Sequence, residues 1–319
     1  VALPRPRFGR SSRAEAEPTY EHPWLDRREA VSNVLRRLEL DITMRLDGLL
    51  QGDYRGLVPG HGSEPGETRR YEPGDDVRRI DWNVTARMLE PYIRQTIADR
   101  ELETAVAIDL TPSLDFGTAD SEKRDLVAAA TAAIGFLTLR IGNRFGAELI
   151  RPNGIESIPA KQGRDHVLHI VEQVLTAPRG DHSEVTLADG IARLRGPHRR
   201  TGLRAVISDF IDESDWESEI KRVGIRNQVM AVEIVDPREM ELPNVGSLAV
   251  VDPETGQRRE IHTGSRRVRE RFAEAALEQR EEIAQTMRST RTRHLQLSTD
   301  RDWLHDVVRF VATSGAQVR

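Results

Sequence analysis

TAVAIDLTPSLDFG, residues 104–117, opens on alternating Ala, Val and Ile and closes on Asp, Thr, Pro and Ser. A short apolar run rich in β-branched residues, ended by turn-forming polar residues, reads as a strand buried on both faces rather than one with a wet side. A second run of this kind, LRAVISDF (203–210), also ends in an acid, Asp209. Between them Ser121 stands where a helix cap is expected, before a long helix to about Leu139. Two short strands are predicted at 144–150 and 154–160, and helices at 165–176 and 187–194. After Asp209 the pattern predicts a helix at 214–223, a strand in 227–235, a hairpin across 247–262, a long helix at 266–289, a strand at 294–298 and a helix at 301–313. Strands alternating with helices imply a mostly parallel sheet covered on both faces, an α/β fold.

Ahead of this region the chain is different in kind. Residues 1–25 read as a disordered basic tail, and residues 26–94 as a helical and loop-rich extension preceding the α/β domain at 95–319. Val31, Val34, Leu35, Leu38, Ile42, Leu46 and Leu49 fall at helical spacing, and QGDYRGLVPGHGSEPGE (51–67) then breaks the chain repeatedly. That Gly-rich stretch has neither phosphate-loop spacing.

Composition excludes several function classes. The 319 residues carry 47 Lys and Arg against 52 Asp and Glu, a net charge of −5, so there is no overall field for nucleic acid. The local basic patches at 193–204 and 266–271 lack interleaved aromatics. The absence of Cys removes disulfides, thiolate zinc sites and cysteine nucleophiles. LVAAATAAIGFLTL (126–139) is too short for a membrane span, and the N-terminal stretch has no apolar signal core, so a cytoplasmic protein is expected. The nine histidines show no metal-ligand spacing, and GHGS at 60–63 is not a nucleophile elbow.

Ligands of α/β sheets bind beyond the carboxyl ends of the strands. Asp109, Thr111 and Ser113 lie in one loop there, and Asp209 lies at the same level if the two strong strands are neighbours. Thr186 or Ser183, before the helix at 187, would supply a further hydroxyl. Hydroxyl and carboxylate oxygens without sulfur or imidazole suit a hard cation, Mg2+ or Mn2+. The rival use of Asp109, as nucleophile of a Mg2+-dependent phosphohydrolase, would want a second acid two residues on and a balancing Lys. Position 111 is Thr, and no Lys follows a strand suitably.

DLTPS after an apolar strand, with an Asp ending a later strand, resembles the metal-ion-dependent adhesion site of von Willebrand factor A domains. RRYEPGDDVRRIDWNVTAR (69–87), followed by IDLTPSLDFG and then ISDF, resembles the bacterial family called domain of unknown function 58. That resemblance covers roughly residues 30–300 and implies a von Willebrand factor A-like (Rossmann-like) sheet in the domain at 95–319, with metal ligands Asp109, Thr111, Ser113, Thr186 and Asp209. It also implies a non-enzymatic role as adaptor or co-chaperone of a MoxR-type AAA+ ATPase or its client protein. Membrane attachment, common among the relatives, is not expected of this sequence. In the 69–82 motif, Arg70, Asp75, Arg78 and Asp81 would serve either as a charged clasp or as a partner-binding surface. Val77, Ile80 and Trp82 would be its apolar anchors.

Overall fold

A computed structural model describes residues 36–38, 40, 42, 68–72, 77, 80–88, 90–94, 102–117, 121–180, 183–196, 200–251 and 258–316. The tail at 1–25, most of the helix expected within 26–50, the Gly-rich stretch 51–67 and the motif residues Asp75 and Arg78 lie outside them. Of the early helix, residues 36–38, 40 and 42 are helical, and Ile42 is buried in the main core.

The extension contributes β1 (Thr68–Arg70), α1 (Trp82–Met88) and β2 (Tyr92–Arg94), with β1 and β2 antiparallel. Asp81 caps α1, its Oδ1 accepting from the backbone of Asn83 at 3.1 Å and Val84 at 3.3 Å. Ile80 bridges to the buried Ile93. Trp82 and Val77 are 70% and 59% exposed, so they are not the anchors that the motif suggested.

The main domain follows as β3 (Glu103–Asp109), α2 (Lys123–Arg140), β4 (Arg144–Arg151), β5 (Gly154–Lys161), α3 (Arg164–Leu175), α4 (Leu187–Arg193) and β6 (Leu203–Ser208). It continues with α5 (Trp216–Gly224), β7 (Gln228–Val235), the single turn α6 (Pro237–Met240) and the hairpin β8 (Ser247–Val251) and β9 (Arg258–His262). Last come α7 (Arg266–Ser289), β10 (Arg293–Ser298) and α8 (Trp303–Ala316). Six strands form one sheet in the order β10-β7-β6-β3-β4-β5, parallel except for the edge strand β5, which runs antiparallel to β4. The expected α/β architecture, a mostly parallel sheet flanked by helices, is therefore present. The helix after β3 is capped by Glu122, reciprocally with Asp125, and not by Ser121, whose hydroxyl donates to Thr299 O.

Alternation along β3 divides the core into two layers. Val106 and Ile108 pack with α2, α3 and α8, whereas Ala105 and Ala107 face the cluster built by α4, α5 and α7. The Ala residues let the second layer approach closely. The strand order reverses between β3 and β6: from β3 the chain winds outward through β4 and β5, then returns to lay β6 on the other side of β3. Such a switch point opens a crevice at the carboxyl ends of those two strands.

Gly202, at the entrance to β6, passes so close to β3 that an added Cβ would lie 2.2 Å from Glu103 O. Gly202→Ala is expected to destabilise the fold by about 1–3 kcal/mol, as overpacking does, measured as a lower urea midpoint with an unchanged slope.

Candidate functional site

Asp109 is the last residue of β3, and Asp209 immediately follows β6, so the two acids flank the crevice. Burial leaves them 3% and 1% exposed. Asp109 Oδ1 accepts from the Thr111 amide at 2.9 Å and the Thr111 hydroxyl at 2.7 Å, and Oδ2 accepts from the Ser208 hydroxyl at 2.7 Å. Thr111 Oγ1 lies 3.3 Å from Ser113 Oγ. Pro112 fixes the intervening backbone at the start of a 3-10 turn, Pro112–Leu114, which brings the two hydroxyls together.

Among the described residues Asp109 has no cationic partner in ion-pair contact; its bonds are to hydroxyls and a backbone amide. Burial, and then the neighbouring charge of Asp209, push its carboxyl up to about 6.

Asp209 has a different environment. Its Oδ2 accepts from Lys123 Nζ at 3.0 Å and its Oδ1 from the Ile211 amide at 3.1 Å. Burial alone would raise it, but the charge and hydrogen bond of Lys123 outweigh burial and hold it below the usual carboxylate range. The next residue, Phe210, sits at φ 56°, a left-handed backbone costly for an aromatic residue. Its amide bonds Ser208 Oγ at 3.0 Å, and its ring tilts against Trp216 with centroids 5.2 Å apart.

Lys123 is the first residue of α2 and fully buried. Its ammonium also pairs with Glu239 of α6 and donates to Ser113 O at 3.3 Å. Burial would lower its pKa; Asp209 and Glu239 overcome this and raise it, so the side chain stays charged. From Glu239 the network continues to Arg280 of α7 at 3.0 Å, which also reaches Glu233 at 2.7 Å and Asp209 O at 3.1 Å. Glu233 in turn contacts His294 at 2.8 Å and Gln296 at 3.2 Å on β10.

The structure thus brings Asp109, Thr111, Ser113 and Asp209 to one rim. Thr186 is engaged elsewhere: it caps α4, donating to Asp189 Oδ2 at 2.7 Å and accepting from the Asp189 amide at 3.2 Å. Ser183 donates to Val185 O at 2.7 Å. The loop carrying Thr186 is nevertheless latched to the loop after β6, because Leu187 N donates to Asp212 at 3.1 Å and Ala188 N to Ser214 at 3.2 Å. In the 69–82 motif, Arg70 pairs with Glu90 and Asp81 caps α1.

Adjacent ligands of a six-coordinate Mg2+ with bonds of ~2.0–2.1 Å stand about 3 Å apart, close to the 3.3 Å between Thr111 Oγ1 and Ser113 Oγ. The Thr111 proton is directed to Asp109, which leaves its lone pairs available. The Thr111 and Ser113 hydroxyls therefore fit such an ion, with Asp109 supplying charge behind the Thr111 hydroxyl that it accepts from, whereas Asp209 already faces an ammonium. Among the described residues no group of three or more acidic or imidazole side chains could hold a metal; this cluster depends on hydroxyls.

Residues 67–282 match the family described as Protein of unknown function DUF58. The chain belongs to this family. The uncharacterized protein Rv1480 of Mycobacterium tuberculosis is 48% identical to it over 282 residues, covering 88% of each chain. The shorter MAV169 of Mycobacterium avium is 39% identical over 155 residues, 48% of this chain and 91% of its own. Among solved structures, BatB from Bacteroides thetaiotaomicron aligns with TM-score 0.42 and 11% identity, over 67% of this chain and 99% of its own. The SpRpn10 VWA domain aligns with TM-score 0.37 and 14% identity, over 65% and 94%.

In this DUF58 domain the sequence reading missed Lys123, Ser208, Glu239 and Arg280. No Lys was sought outside the strand ends, and Lys123 reaches the site from the start of a helix. One signal was present: Lys123 and Arg124 open a helix whose N-terminal dipole disfavours cations, which calls for specific acidic partners. Arg124 finds Asp115 at 2.6 Å. The basic patches also lose force as surfaces, since Arg204 is buried and donates to Glu103 O at 2.7 Å, while Arg266 pairs with Glu270 at 2.7 Å. No described helix is long and apolar enough to cross a membrane.

Because the folded-state pKa of Asp109 is raised, its ionisation opposes folding as pH climbs from the unfolded value of 3.8 through about 6. Asp109→Asn is expected to be more stable than the parent at pH 7.5 without divalent ions, by on the order of 2–3 kcal/mol. The advantage should vanish near pH 4, read from urea curves at both pH values. Arg280→Met should cost about 3 kcal/mol by stripping a partner from buried Glu233 and Glu239, while Arg266→Ala, on an exposed pair, should cost less than ~0.5 kcal/mol.

Proposed function

We propose that this chain is a non-enzymatic protein-interaction module whose docking centre is the oxygen cluster of Asp109, Thr111 and Ser113, with Asp209 behind it. The cluster would hold Mg2+ or Mn2+ and leave a coordination position for a carboxylate of a partner protein. The resemblance that runs through the 69–87 motif suggests a MoxR-type AAA+ ATPase, or its client, as that partner in the cytoplasm. Arg70, Asp75, Arg78 and Asp81 are a second candidate contact region.

The observation that carries this reading is Asp109: a carboxylate 3% exposed, at the switch point of the sheet, bonded by hydroxyls and an amide and, among the described residues, with no cation in ion-pair contact, Arg124 acting on it only at longer range. A buried charge without an ion-pair partner is expensive, and a divalent ion would compensate it. The geometry gives less support to a phosphohydrolase. Both oxygens of Asp109 already accept hydrogen bonds, and its burial leaves little room for in-line attack on a phosphate.

Isothermal titration of Mn2+ and Mg2+ into the metal-free protein should show one site, with a matching rise in melting temperature by linkage. Asp109→Ala should lose both signals, and with them the divalent-dependent capture of the ATPase. Absence of divalent binding in the parent protein would remove the cation mechanism; turnover of a simple phosphate ester that Asp109→Ala abolishes would restore the enzyme reading.

A further inference from the structure

Lys123 is a poor choice of residue for stability alone. An ammonium at the first position of a helix opposes the helix dipole, and removing it from water costs several kcal/mol before its partners are counted. Three acceptors compensate it: Asp209, Glu239 and the carbonyl of Ser113. The last of these belongs to the loop that carries Thr111 and Ser113. The ammonium therefore bonds directly to the backbone of the candidate cation loop, while neutralising one of the two acids beside it.

Building on the proposed cation site, we infer that Lys123 is the site's resident countercation and sets its affinity for divalent ions. Of the two acids flanking the crevice, Asp209 is satisfied from within the protein and Asp109 is left for an external ion. A divalent cation at Thr111 and Ser113 feels attraction from Asp109 and repulsion from the ammonium behind the loop. Cation binding is thereby attenuated, and the bound state keeps one more positive charge than the same loop without a lysine would have. That surplus favours an anionic group from outside, so the lysine exchanges cation affinity for affinity toward an acidic partner. Arg280 does not take over the role: its guanidinium is held by Glu239 and Glu233, and it reaches Asp209 only at the backbone carbonyl.

The test is Mn2+ calorimetry on the parent protein, Lys123→Met, Lys123→Arg and Lys123→Met combined with Asp109→Asn. Lys123→Met should bind Mn2+ at least tenfold more tightly than the parent, Lys123→Arg should resemble the parent, and the double variant should not bind. If the parent binds in an Asp109-dependent way and Lys123→Met binds no more tightly, the role of Lys123 is overturned and the cation site stands. If neither binds, both readings fall. Should Lys123→Met not fold, nuclear magnetic resonance of the parent protein decides the matter. Saturating Mg2+ should shift both the Thr111 amide and the Lys123 ammonium nitrogen. Movement of the amide alone would overturn the inference, and movement of neither would overturn the cation site with it.

Discussion

A lysine ammonium buried between Asp209 and Glu239 ties together the parts of this protein that would otherwise move independently. It joins the start of α2 to the loop after β6 and to the turn α6, and through Ser113 O it also holds the loop after β3. Arg280 extends the same alternation of charge to α7 and to Glu233 on β7, and a hydrogen-bond contact of Glu233 with His294 links β10. Breaking a buried ion pair from one side costs about 3–5 kcal/mol, so these links hold the rim in one geometry. The hydroxyls of Thr111 and Ser113 are thus presented by a loop whose backbone is fixed from behind.

The same network assigns different electrostatic roles to two acids that look equivalent in the sequence. Asp209 is locked by a positive partner, whereas Asp109 rests on hydroxyls and one amide and has its ionisation opposed by burial. One ion-paired and one purely hydrogen-bonded carboxylate thus stand at the sheet's switch point, in a chain whose net charge is only −5, and positive charge beside Asp109 would favour its ionised form. This arrangement is a property of the fold and does not arise from composition.

Much of the architecture is legible from residues 104–110 and 203–210, because strands buried on both faces read as nearly continuous apolar runs even with Arg204 inside one of them. Loop residues following those strands were legible for the same reason: Asp109, Thr111, Ser113 and Asp209 stand at the ends of unmistakable strands. The reversed direction of β5 was not, since an edge strand with exposed Glu156 and Ser157 has a similar pattern in either orientation. Nor were the charge partners. Lys123 meets Asp209 across 86 residues and Arg280 meets Glu233 across 47, and no local period encodes such pairing. Thr186 misled because a Thr before a helix satisfies the capping rule and the ligand pattern equally well; here its hydroxyl serves Asp189.

Attraction of a hard divalent cation by the loop of Asp109, Thr111 and Ser113 can be read from paramagnetic broadening of backbone amide signals by substoichiometric Mn2+, because the effect falls off steeply with distance from the ion. Broadening is expected to centre on residues 109–113 and 208–210 and to vanish in Asp109→Asn. Broadening centred anywhere else, or weak and uniform over the acidic surface, would contradict it.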